Sequence, residues 1–149
     1  TAQLIGGMNP GIVALSVETA SERLMNSIGG KAKRSHVETA VKNLESAGVE
    51  RGNIYAYIMI GLDEENLDDI ILTIDYLKSL EVRILINEFS PVPTTQDYES
   101  KRQFLSDPLL TNNSVYTSLF KYDFETVQSI KNMVKRANRE NYEKHKRKS

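Results

Sequence analysis

Three short apolar runs dominate the chain, at residues 11–18 (GIVALSVE), 54–62 (IYAYIMIGL) and 82–89 (VRILINEF). Runs of this length, rich in Ile and Val, predict buried strands. The stretches between and after them have a different period. Val37, Ala40, Val41, Leu44 and Ala47 recur every three or four residues, as do Leu67, Ile70, Ile71, Ile74, Leu77 and Leu80. Phe124, Val127, Ile130, Val134 and Ala137 form a third such series. Each predicts a helix with one apolar stripe. Ser35 and Glu38 fit a capping box for the first of these, and Gly48 supplies its stop. Asp63, Glu64 and Glu65 suit the start of the second, and Asp123 caps the third. A short helix over 22–27 is capped by Thr19 or Ser21 and ended by Gly29 and Gly30. Residues 1–10 read as an irregular start, 31–34 as a basic loop, and Ser90-Pro91-Val92-Pro93 as the end of the third strand. Residues 96–121 are less regular. Leu109, Leu110, Val115, Tyr116, Leu119 and Phe120 are expected to cover one end of the sheet.

The resulting order, β-α-β-α-β, predicts an α/β fold with a parallel three-stranded core and a C-terminal helical extension. Residues 1–100 form the α/β unit, and 101–149 form the extension with its basic tail. Three strands are few for a parallel sheet, which needs cover on both faces and at both edges. The expectation is a piece of something larger, or a homodimer formed through an exposed sheet edge.

Composition narrows the chemistry. Among 149 residues there is no cysteine and there are two histidines, His36 and His145. Disulfides, thiolate metal sites, thiol nucleophiles and a cluster held by this chain alone are excluded. The longest apolar run falls well short of a bilayer span, and no signal pattern opens the chain, so a cytoplasmic location is expected and no membrane partner. The net charge is -1, but residues 131–149 carry eight basic and two acidic residues. That stretch reads as a solvated helix face, and a nucleic-acid partner is not expected.

Ligands of parallel α/β structures bind at the C-terminal ends of strands. Those ends carry Ser16 and Glu18, then Gly61 and Glu64, then Asn87, Glu88 and Ser90. Glu18 ends an apolar strand and needs a partner, either a ligand cation or hydroxyl, or a structural cation such as Lys33 or Arg34. Gly61 allows close backbone approach or a tight turn. Tyr55 and Tyr57 share one strand face. No phosphate-binding loop is present, and His36 reads as a surface residue.

Taken together, these segments resemble the C-terminal half of a radical S-adenosylmethionine (radical SAM) enzyme, of the group often fused to a cobalamin-binding domain. "ALSVETASERLMNSIGGKAKRSHVETAVKNLESAGV" is similar to that family's fourth strand and following helices. "NIYAYIMIGLDEENLDDIILTIDYLKSL" is similar to the fifth strand, adenine-binding turn and helix, and "ILINEFSPVPTTQDYE" to the sixth strand and its Ser-Pro-x-Pro turn. "DPLLTNNSVY" resembles a segment beyond the barrel. The resemblance implies a partial (β/α) barrel, half of a TIM-like barrel, without the loop of three cysteines that binds a four-iron, four-sulfur cluster. It implies that Ser16 and Glu18 contact the methionine or ribose part of S-adenosylmethionine. Arg34 falls near a residue that meets the methionyl carboxylate. Tyr57, Met59, Gly61 and Glu64 match the Gly-x-Ile-x-Gly-x-x-Glu motif against adenine, with Tyr57 and Met59 replacing its first Gly and its Ile, and Asp63 in place of the usual Pro. Asn87, Ser90 and Pro91 match the end of the sixth strand, near adenine and substrate.

The parent enzyme would cleave S-adenosylmethionine reductively to methionine and a 5′-deoxyadenosyl radical. Its missing N-terminal half would be the partner of this chain. The chain itself is expected to hold no cofactor and to be inactive alone, as half of the cofactor cradle. The alternatives are a self-contained cysteine-free α/β binding module and a nucleic-acid adaptor acting through the basic tail.

Overall fold

The computed structural model describes residues 1–29, 33–104 and 120–148. The element order is α1 (Ala2–Gly7), β1 (Val13–Glu18), α2 (Glu22–Ser27), α3 (Arg34–Ser46), β2 (Ile54–Ile60), α4 (Leu67–Ser79), β3 (Arg83–Glu88), α5 (Gln96–Lys101) and α6 (Phe124–Lys148), with short 3-10 turns at Arg51–Asn53 and Arg102–Phe104. The strands form one parallel sheet in the order β1-β2-β3. The protein is thus an α/β fold with an open three-stranded parallel sheet.

Two consecutive parallel crossovers of the usual right hand place their helices on the same side of the sheet. The burial pattern follows from this. Along β2, Ile54, Ala56, Ile58 and Ile60 are buried, while Tyr55, Tyr57 and Met59 between them stay part-exposed. The buried row packs with Val17, Ile84, Val37, Val41 and Leu44 of α3, Ile70, Ile74 and Leu77 of α4, and Ile130, Val134 and Ala137 of α6. The other face carries Ala14, Ser16, Arg83 and Asn87, all exposed, and half-buried Leu85. Among the described residues, only one face of this parallel sheet is covered.

The two edges also differ. The free side of β3 is closed by α6. Asn138 Oδ1 accepts from Ile84 N–H and its Nδ2 donates to Ile84 C=O, both at 2.8 Å, imitating a neighbouring strand. Asn141 Nδ2 donates to Val82 C=O at 3.1 Å. Ion pairs from Lys131 to Glu88 (2.6 Å) and Lys78 to Glu140 (2.6 Å) hold the same helix down. The basic stretch is therefore a docked helix with part of its charge engaged, not only a solvated face. The free side of β1 has no backbone partner among the described residues.

Several local expectations are corrected. Residues 2–7 are helical, and α1 packs on α3 so tightly that a Cβ at Gly6 would lie 2.0 Å from the Ala47 carbonyl oxygen. The Ser35–Glu38 capping box does not form. Helix α3 already begins at Arg34, whose Nε donates to Ala20 C=O at 2.8 Å and whose guanidinium lies 5.2 Å from the Tyr76 ring centre. That anchorage fixes the first turn two residues early, with Lys33 at the N-cap position. The capping box of the fold is at α4 instead, between Asn66 and Asp69. Phe124 faces solvent because Asp123 turns the chain at the cap, its carboxylate accepting from Thr126 N–H at 2.7 Å. The part of the basic loop at 30–32, and Leu109, Leu110, Val115, Tyr116 and Leu119, lie outside the described residues.

Candidate functional site

The strand register aligns the rim residues into rows. Ser16 pairs with Tyr57 and Tyr57 with Leu85, making one row across the uncovered face. Met59 and Asn87 make the next row toward the C-terminal ends of the strands. Ser16, Tyr57, Met59 and Asn87 are thus brought together on one open surface by strand alternation alone.

Glu18 sits at the edge of that surface in unusual backbone. The β1–β2 register shifts between Ser16 and Glu18, so that Glu18 stands opposite Ile58. Its φ is +61°, and Thr19 N–H donates to Val17 C=O at 2.8 Å around it. A three-residue turn with positive φ at a glutamate is uncommon and costs about 1–3 kcal/mol. Bulges of this kind re-aim a side chain and gather next to functional sites. The structural pairing expected for Glu18 is not made: Arg34 is bound to Ala20 and stacked on Tyr76, within the helix layer. The side chain of half-buried Glu18 makes no hydrogen bond or ion pair among the described residues.

The β2 end is built differently. Gly61 has φ +94°, a region closed to most L-residues, and its N–H donates to Glu65 Oε1 at 2.8 Å. Tyr122 Oη donates to the same oxygen at 3.1 Å. Glu65 is 3% exposed, and burial pushes its carboxyl up to about 7, against the pull of these two hydrogen bonds and of Lys121. Glu64, the motif position, is exposed, and its C=O accepts from Arg23 at 2.9 Å. Sequence reasoning passed over Glu65. Its place after an apolar strand, at the end of a run of three acids, was the only available signal. Asp63 is held by Lys101 (2.6 Å) and through its C=O by Lys121 (2.7 Å), so residues from both sides of the 105–119 segment lie over the β2 rim. Ser90 is half-buried and Pro91 buried, beyond the end of β3.

Behind the rim, a buried polar network ties the β1–α2 turn to the start of α4. Ser21 Oγ donates to Asp69 Oδ1 at 2.5 Å and accepts from Leu24 N–H at 3.3 Å as the α2 cap. Thr73 Oγ1 donates to Asp69 C=O at 2.7 Å and accepts from Ala20 N–H at 3.0 Å. Arg23 pairs with Asp69. Burial opposes the charge of Asp69, but the bonds from Ser21, the Asn66 N–H and Arg23 outweigh it and hold the carboxyl below its usual range.

Among the described residues no group of His, Asp and Glu is placed to hold a metal ion, and no helix is long and apolar enough to cross a membrane. No family model matches the chain, and no curated protein matches it.

Proposed function

We propose that this chain is the C-terminal half of a radical SAM barrel and supplies half of its S-adenosylmethionine cradle. The observation that carries the reading is the one-sided cover of a parallel sheet. Such sheets are normally buried on both faces. A sheet with helices outside, polar and aromatic side chains inside and one bare edge strand is what a segment cut from a barrel would present. Exposed Leu4, Met8 and Ile12, on α1 and just before β1, add apolar surface to the β1 side.

The residues fit the cofactor in part. Glu18 offers a carboxylate for the methionyl ammonium, Ser16 and Asn87 offer hydrogen bonds to ribose hydroxyls, and Tyr57 with Gly61 offers a flat surface for adenine. Arg34, engaged in the helix layer, does not join them. The iron–sulfur cluster does not fit this chain, which has no thiolate to give, so its ligands belong to the preceding half. S-adenosylmethionine, when bound, supplies the radical chemistry of such enzymes. The part left to this chain is to orient the cofactor and to exclude water from the inner face of the sheet.

The test begins with the reading frame upstream of Thr1. A Cys-x3-Cys-x2-Cys loop about a hundred residues earlier, the length of three βα units at about 30 residues each, is expected. The continuous polypeptide should then form 5′-deoxyadenosine under reducing anaerobic conditions, with Glu18→Gln raising the KM for S-adenosylmethionine, and this chain alone should form none. A start codon directly before Thr1, or turnover by the isolated chain, would overturn the reading in favour of a self-contained binding module.

A further inference from the structure

At the opposite end of the strands, a groove of about 750 Å³ runs between the start of β3 and the outer face of α6. At its floor lies Asn141, 3% exposed. Its Nδ2 is committed to Val82 C=O, which fixes the amide orientation, because a flipped amide would set two oxygens against each other. Its Oδ1 is buried without a partner among the described residues. An acceptor in that state is unfavourable, because it has lost its water without gaining a donor.

The walls are cationic and aromatic. Lys135, Arg139, Tyr142 and Lys146 recur at helical spacing along α6, and Arg83 reaches in from β3. Lys135 and Lys146 have no ion-pair partner among the described residues, and Arg139 pairs with Glu143 through Nε at 3.1 Å, which leaves its Nη groups for a phosphate. Tyr142 is 68% exposed, and its hydroxyl makes no hydrogen bond there. Glu50 and Glu81 also line the groove, but Lys144 lies 3.9 Å from Glu81. Arg83 covers Tyr55, 5.1 Å from its ring centre, which leaves Tyr142 as the ring with an open face.

We propose that this groove binds a nucleoside monophosphate, with the base on Tyr142 above the Asn141 floor and the phosphate between Lys135 and Arg139. A free anion would satisfy the cations but leave the exposed ring of Tyr142 unused. A neutral aromatic would use Tyr142 but not the charge. The midpoint of the phosphate pair lies five residues from Tyr142, about 7.5 Å along the helix axis, and this suits the span from a base to its 5′-phosphate. The volume also suits a ligand of that size. This inference does not depend on the barrel reading, since the groove lies at the other end of the sheet.

Titration calorimetry of the full chain with AMP, GMP, CMP and UMP tests it, with adenosine and inorganic phosphate as controls. At least one nucleotide should bind tenfold or more tightly than either control, a difference of about 1.4 kcal/mol. Tyr142→Ala and Arg139→Ala should each weaken it about tenfold with an unchanged melting temperature, both side chains being exposed. Arg147→Ala, outside the groove, should change nothing. Phosphate binding as well as the nucleotides, no nucleotide binding at millimolar concentration, or binding of single-stranded RNA alone would each overturn the proposal.

Discussion

The two edges of the sheet solve the same problem in different ways. At β3, the exposed N–H and C=O of Ile84 are taken by one asparagine side chain on a helix that arrives about fifty residues later in the chain. At β1, nothing among the described residues takes that place. An unpaired edge is a template for another strand unless it is blocked by charge, proline or cover. The β1 strand, VALSVE, carries none of these before its final glutamate. The closed edge is built by this chain itself; under the function proposed above, the open one is left for a partner strand.

The largest effect should come from Asn138→Leu. It leaves an N–H and a C=O of β3 without partners under an apolar side chain, at about 2 kcal/mol each. A loss of about 4 kcal/mol in urea unfolding is expected, with aggregation through the newly exposed edge. A loss below about 1 kcal/mol would mean that α6 covers β3 without stabilising it.

The second effect acts through the same helix but from the rim. Glu65 holds Tyr122, which leads into α6. Its carboxyl lies at about 7 in the fold against a usual 4.5. The folded state therefore binds the proton more tightly. Stability from this group is complete below pH 4.5 and falls as pH rises through 7, by about 3 kcal/mol. Glu65→Gln keeps an Oε1 acceptor for Gly61 and Tyr122 without the charge. Its melting temperature should exceed that of the parent chain at pH 8, and the difference should vanish near pH 4. Asp69, held low, acts with the opposite sign and only in stronger acid, so the two can be separated by pH.

The β1 side has its own clamp, and it is weaker. Ser21→Ala removes the α2 cap and one of the bonds to Asp69. A loss of about 1–2 kcal/mol is expected in the same unfolding measurement. If Ser21→Ala cost more than Asn138→Leu, the β1 turn and not α6 would be the main support of the sheet.

Much of this arrangement could be read from the residues in advance. The apolar runs place all three strands, Ser21 and Asp123 do cap helices, and Val37, Val41, Leu44, Ile70, Ile74 and Leu77 are buried as their spacing demands. These signals are local, since periodicity and caps act within a few residues. What stayed hidden is tertiary. Asn138 and Asn141 are polar residues on a basic helix, and nothing nearby in sequence distinguishes them from solvated ones. The φ of Glu18 depends on a register shift against β2. Glu65 and Glu64 are chemically alike, and only the turn at Gly61 decides which is buried. Ser35 lost its cap to Arg34 because Ala20 and Tyr76, distant in sequence, hold the arginine.

The smallest effect on stability carries the sharpest test of the comparison. Ala14 lies exposed on the uncovered face of β1. Ala14→Lys adds a charge to an edge strand without removing a contact, so unfolding should change by less than about 0.5 kcal/mol. If the β1 edge pairs with another strand, that lysine should oppose the pairing, as lysines do on protected edges. The parent chain should then sediment as a concentration-dependent dimer and the variant as a monomer, while Asn138→Ser, which keeps a hydrogen-bonding side chain at the closed edge, should leave the dimer intact. A parent chain that stays monomeric at high concentration would show that an edge can remain bare in this fold, and the two sides of the sheet would then differ in cover but not in purpose.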